Sequence, residues 1–186
     1  MSASQQTHLQ LEDLTPELQE LLGPRVERLG YLGEFFQRAG HQPEALALFY
    51  QWTEALKAAL PFRLTEVVAL TIAARAGNEY ERIQHERLAL KRGMTEDEVL
   101  AIEAGSAGDC PTLSEEEVAA AALAGALLED NGHGAGPAVE RLAALIGQDG
   151  TTGVMMMAAR YIAHSALSNA WALTVPVASP FDRTAE

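Results

Sequence analysis

Apolar residues recur at helical spacing wherever the chain shows a period, and no stretch alternates in the way that a half-buried strand requires. In PRVERLGYLGEFFQRAG (24–40), Val26, Leu29, Leu32, Phe35 and Phe36 share one face, between a proline suited to a first helical turn and a closing glycine. PEALALFYQWTEALKAAL (43–60) repeats the pattern with Leu46, Phe49, Trp52, Leu56 and Leu60. TEVVALTIAARAG (65–77) follows, and GNEYERIQHERLALKRG (77–93) predicts a further helix that stops at Gly93.

Two later helix starts are marked by their caps. Thr95 with Glu98, and Ser114 with Glu117, have the spacing at which a cap residue and the third helical residue exchange hydrogen bonds, which predicts helices over 96–104 and 115–129. The glycine-rich EDNGHGAGP breaks the chain before a short helix from Pro137 to Ile146. A last long helix is expected over 151–174, with an extended tail from Pro176. The pattern predicts an all-α fold of about eight helices in one domain spanning 1–186, with tails at 1–15 and 176–186.

Composition and charge narrow the function classes. The 186 residues are 48% apolar and 21% charged, as in ordinary globular proteins. Acidic side chains number 26 against 13 basic ones, and a formal charge of -13 would repel a phosphate backbone or an anionic membrane. Neither nucleic acid nor a membrane is an expected partner. An anionic substrate would need a locally positive pocket. The uncharged run Tyr161 to Phe181 is interrupted by His164, Ser165, Ser168, Asn169 and Pro176, which fits a buried helix better than a membrane span. The start, MSASQQTHLQLEDL, lacks the pattern of a signal peptide, so a cytoplasmic protein is expected. One cysteine, Cys110, can form no intramolecular disulfide and falls in a loop.

The candidate chemistry lies on the helix after Gly77. Glu81 and His85 are neighbours on one face, with Tyr80 and Gln84 beside them. An antiparallel hairpin about Gly77 and Asn78 would bring Glu66, early in the preceding helix, to His85. A carboxylate bonded to an imidazole fixes its tautomer and prepares the other ring nitrogen for proton transfer. Spacing alone also fits an exposed Glu81/His85 pair worth a few tenths of a kcal/mol, which is the commoner arrangement. His85 is expected to point inward, and Arg82, Glu86 and Lys91 outward.

The run LTEVVALTIAARAGNEYERIQHERLALKRGMTEDEVLAIEAG, residues 64–105, resembles the core signature of the carboxymuconolactone decarboxylase family, which also contains the alkylhydroperoxidase D (AhpD) proteins. A glutamate opens the first helix, a tyrosine precedes a histidine, and GMTEDE turns into the next helix. The preceding FxxAxxxPEAL pattern, Phe36 to Leu46, resembles the peroxidase-related branch. The resemblance implies an AhpD-like helical fold, with the family glutamate at Glu66 and the family histidine at His85. Where the peroxidase-active branch carries two cysteines, this chain has Asn78 and Glu81. Thiol-based peroxide reduction therefore lacks its dithiol.

These residues imply a proton-transfer site with His85, Glu66, Tyr80 and Glu81 as catalytic groups and Asn78, Arg160 and His164 as substrate-binding ones. Arg160, His164, Ser168 and Trp171 follow helical spacing along one face of the last helix. The expected substrate is a small molecule, such as a lactone or keto acid, and the favoured reaction class is a decarboxylase-like lyase. A peroxiredoxin-type antioxidant protein and a non-catalytic helical oligomer are the alternatives. No histidine spacing suggests a metal, and no cofactor is expected. The aromatic side chains Phe35, Phe36, Phe49, Tyr50 and Trp52 are numerous for a monomer of this length, and the resemblance implies a homo-oligomer, as a trimer or hexamer.

Overall fold

The computed structural model describes residues 8–182, so the outermost parts of both expected tails lie outside the described residues. Within that span there are eight α-helices and no strand. They are α1 (Pro16–Leu29), α2 (Glu34–Ala39), α3 (Pro43–Ala59), α4 (Phe62–Arg75), α5 (Glu79–Lys91), α6 (Glu96–Glu103), α7 (Glu115–Leu128) and α8 (Gly136–Ala170). No described helix is long and apolar enough to cross a membrane.

α4 is the central helix. Every residue from Leu64 to Ala73 is buried, because α5, α6, α7 and α8 all pack against it. A helix apolar on every side has no solvent face to offer, and its place is the interior. Glu66 is the one ionisable residue in that run, so the fold must supply it with a partner. The arrangement is pinned at its edge by Arg63 at the start of α4. Its guanidinium bonds both Glu98 (2.9 Å) and Glu117, the residues that close the two capping boxes of α6 and α7. One arginine thus ties three helix starts together.

The stretch 24–40, expected as one helix, is two. Thr15 caps α1 with Pro16 in its first turn, and Pro24 lies inside the helix on its exposed side, where water can satisfy the backbone group that proline leaves unpaired. α1 stops at Gly30, whose φ of 81° ends the helix, and α2 resumes at Glu34. Apolar spacing counts positions and does not register that the backbone turned between them. At the other end, the two expected helices are joined as α8, with the break reduced to a kink at Gly147 (φ 77°, ψ 174°).

The apolar interior has two parts. The larger surrounds α4 and includes Val67, Leu70, Ile72, Leu123 and Tyr161. The smaller gathers Leu18, Leu22, Phe35, Phe36 and Leu46 from α1, α2 and α3, together with Tyr80 of α5. Phe35 and Phe36, expected at subunit contacts, are therefore buried within the chain, since α1 folds back over them. Glu86 is likewise fully buried, although the helical period put it outward. The C-terminal segment crosses that face of α5, and Ser179 donates a hydrogen bond to the Glu86 carboxylate at 2.6 Å.

Candidate functional site

The α4–α5 hairpin turns at Gly77, where a φ of 60° favours a residue without a side chain. Asn78 then caps α5, its Oδ1 accepting the Glu81 N–H at 3.2 Å while its Nδ2 donates to Ser165 of α8 at 3.0 Å. The hairpin brings Glu66 against His85, with Oε2 2.8 Å from Nδ1. On the other side of the ring, Nε2 lies 3.6 Å from the Glu81 carboxylate. The imidazole also meets Tyr161 edge to face, with ring centres 5.2 Å apart. Burial pushes the His85 imidazole down, but Glu66 and Glu81 outweigh it and raise its pKa to about 9. His85 is therefore an imidazolium at neutral pH, ready to donate a proton before it can accept one.

Glu81 is the hub of the site. Its carboxylate stands 3.5 Å from Arg160 Nη1 and 3.5 Å from His164 Nδ1, besides facing His85. Burial alone would raise its pKa. The surrounding His164, His85 and Arg160 reverse that and hold it well below the usual carboxylate range. His164 is driven by burial down to about 3, with Glu81 opposing and Arg160, His85 and Arg25 adding to the effect. Glu66, His85, Glu81 and Arg160 thus alternate in sign through the interior.

α8 supplies Arg160, His164 and Ser168 from one buried face. Arg160 is held by Thr53 of α3 (Nε to Oγ1, 3.0 Å) and lies against the rings of Phe49 and Tyr161. His164 bonds Ser168 at 3.1 Å and stacks on Phe35 with ring centres 3.9 Å apart. The Tyr80 hydroxyl accepts the Phe35 N–H at 3.3 Å, and burial first of all raises its pKa to about 12. Gly33 makes this approach possible, because a Cβ there would stand 2.9 Å from that hydroxyl.

These groups border a cavity of about 580 Å³. Its deep end is made by Tyr80, Glu81, His85, Arg160, Tyr161 and His164, all buried. Phe36, Phe49 and Tyr50 form apolar wall, and cationic side chains from α1, α3 and α5 join the lining. Of the residues read from the sequence, Asn78 does not line the cavity, and Glu66 reaches it only through His85. Cys110 is not on the lining either; its Sγ lies 3.4 Å from the Thr112 hydroxyl.

The pattern of the carboxymuconolactone decarboxylase family matches residues 43–125, which hold α3 to α6, most of α7, and the Glu66, Glu81 and His85 positions. The segment that carries the candidate site therefore has the pattern of this family. The fold is shared with solved structures over nearly the whole chain. The debrominase Bmp8, solved alone and, as a cysteine-to-alanine variant, in complex with 2,3,4-tribromopyrrole, superposes with a TM-score of 0.79 at 19% identity, covering 93% of this chain and 92% of its own. A protein of unknown function from Agrobacterium tumefaciens, suggested to be an antioxidant defence AhpD, superposes at 0.68 with 17% identity, over 75% of this chain and 96% of its own. At such identities the likeness speaks to the fold. No curated protein matches the chain in sequence.

Within this family site, several lining residues left no local signal in the sequence. Thr53, Tyr161, Arg25 and Arg28 lie on α3, α8 and α1, far along the chain from the hairpin. The one hint was the arginine pair three residues apart on α1, and it meant nothing until α1 was seen to fold over the cavity.

Proposed function

We propose that this protein is a proton-transfer enzyme, a decarboxylase or an isomerase or hydrolase, acting on a small lactone or keto acid through His85 and Glu66. The observation that carries the reading is the position of His85. It is buried, bordered by the cavity on the Glu81 side and clamped by Glu66 on the other. Such a group donates a proton to carbon in a dry site.

In the decarboxylating version, the bond between the substrate carbon and its carboxylate breaks, and the electron pair passes into the adjacent carbonyl as an enolate. His85 Nε2 gives its proton to that carbon. The neutral ring keeps its Nδ1 proton on Glu66 and regains the other from solvent. Arg160 is the cation placed to hold the developing oxyanion, since it is fixed by Thr53 and Glu81 at the same end of the cavity. An isomerisation needs the same donor, followed by removal of a second proton by the neutral ring.

The aromatic walls suit a flat ring, as does the tribromopyrrole bound by the similarly folded debrominase. A thiol peroxidase reading fits less well, because the only cysteine, Cys110, is off the cavity. Assembly as a trimer or hexamer belongs to the same proposal. Met156 and Leu167 are exposed along α8, on the same side as Ala159 and Ala163, and a second copy would cover them.

The test is a turnover assay on a panel of small lactones and keto acids with wild type, His85→Gln and Glu66→Gln. Wild type should turn over at least one compound. His85→Gln should lose about a hundredfold or more in kcat with its helicity intact. Undiminished turnover in His85→Gln would remove His85 from the chemistry.

A further inference from the structure

The chain carries twice as many acidic as basic residues, yet Arg25, Arg28, Lys57, Arg87, Lys91 and Arg160 all line one cavity. Three of these cations are already engaged. Arg160 pairs with Glu81, Lys57 pairs with Glu54 at 3.1 Å, and Arg87 donates to the Ala178 carbonyl at 3.4 Å. Arg25, Arg28 and the exposed Lys91 remain, and of these Arg25 and Arg28 stand together on α1. Among the described residues neither is ion-paired with a carboxylate, although the protein is rich in them. The Nε–H of Arg25 is buried without an acceptor, while its guanidinium lies 5.2 Å from the centre of the Phe36 ring. Both arginines are near enough to Tyr50, another lining residue, for their charges to act on its hydroxyl.

We infer that Arg25 and Arg28 form an anion subsite on the α1 side of the cavity, which grips an acid group of the substrate. A guanidinium on the cavity wall without a carboxylate partner lacks a counter-ion, and a substrate carboxylate supplies one with the matching planar geometry. The burial gradient sets the orientation. Arg28 is exposed and Arg25 half-buried, whereas His85, Glu81 and Arg160 are buried. The ligand is therefore an organic acid whose ring or carbonyl faces His85 and whose carboxylate faces outward as a handle. That carboxylate is not the one exposed to the chemistry. Both arginines stand on α1, ahead of the family-matched segment 43–125, so this selectivity is added to the family site by the N-terminal helix. It also places local positive charge where the overall charge of -13 would otherwise oppose an anion.

This inference rests on the cavity being the substrate site, and it can be tested without turnover. Calorimetric binding of 3-phenylpropanoate and of 3-phenylpropanamide, equal in shape and different in charge, should be measured for wild type, for the double variant Arg25→Gln/Arg28→Gln and for Arg160→Gln. Wild type should bind the acid about tenfold or more tightly than the amide. The double variant should lose that preference while keeping its affinity for the amide, and Arg25→Lys/Arg28→Lys should restore part of it. Equal binding of acid and amide by wild type, or no binding of the acid, would overturn the subsite. So would a preference that survives in the double variant and disappears in Arg160→Gln, which would place the acid group at the deep end. Repeating the titration with His85→Gln separates the two readings. Retained acid preference there, with no turnover found in wild type, would leave the subsite standing and the proposed chemistry refuted.

Discussion

Glu66 Oε2 lies 2.8 Å from His85 Nδ1, and the pair is enclosed between α4 and α5 with 1% and 9% of the two residues exposed. Each partner makes the other tolerable in the interior. Removing one leaves a buried group without its counter-charge, which costs far more than the intact pair contributes. Glu66→Ala should therefore destabilise the fold by about 3 kcal/mol or more, and Glu66→Gln, which keeps the shape and one hydrogen bond, by less. Denaturant melts of the two variants give the comparison; equal losses would mean that packing, and not charge, governs the position.

The same contact gives a pH dependence. The folded pKa of His85 is raised to about 9, above its ordinary value, so the folded state holds this proton more tightly than the unfolded chain does. Its contribution to stability is fully present below about pH 6.5 and is lost as the pH rises through about 9. Activity that depends on the imidazolium should fall over the upper part of that range. NMR titration of the histidine ring protons checks the assignment directly, and a midpoint at or below the ordinary histidine value would contradict it.

A carboxyl group, Glu103, responds in the same sense. Glu103 is raised to about 7, by burial first and then by Glu86, with Arg82 opposing. A carboxyl whose folded pKa exceeds its unfolded value stabilises the fold when protonated, so stability should decline from about pH 4.5 to 7. Glu103→Gln mimics the protonated state. It should raise the melting temperature at pH 8 and leave it nearly unchanged at pH 4.5. An equal shift at both pH values would point to packing.

Arg63 bridges the capping carboxylates Glu98 and Glu117 with a planar fork that lysine cannot reproduce. Arg63→Lys, which keeps the charge and loses the fork, should lower stability by about 1 kcal/mol, and Arg63→Ala, which leaves the two glutamates without their shared cation, by about 2. Thermal melts settle the order, and a neutral Arg63→Ala would show that the capping boxes hold without it.

Cys110 lies off the cavity and beside Thr112. Replacing it by serine should leave any turnover within about twofold of wild type, and the same holds for peroxide consumption. A large loss of peroxide consumption in Cys110→Ser would revive a redox reading.

The sequence by itself determined the helices, their caps at Thr95 and Ser114, and the hairpin that sets Glu66 beside His85. Each depends on neighbours within a turn or two, and apolar period and cap chemistry are local. The resemblance of residues 64–105 to the family added the roles proposed for Glu66 and His85, and Asn78 and Glu81 at the places of the dithiol were legible letter by letter. Only the tertiary structure decided the rest. The division of 24–40 into α1 and α2 depends on where α1 turns back, and the burial of Glu86 on a segment that returns to it from 93 residues away. Protonation of His85, neutrality of His164 and the placement of Arg25 and Arg28 follow from charges and burial contributed by α1, α3, α5 and α8 together. Electrostatic energies depend on distance and solvent exclusion, and both are fixed by packing between segments whose order in the chain says nothing of their separation in space.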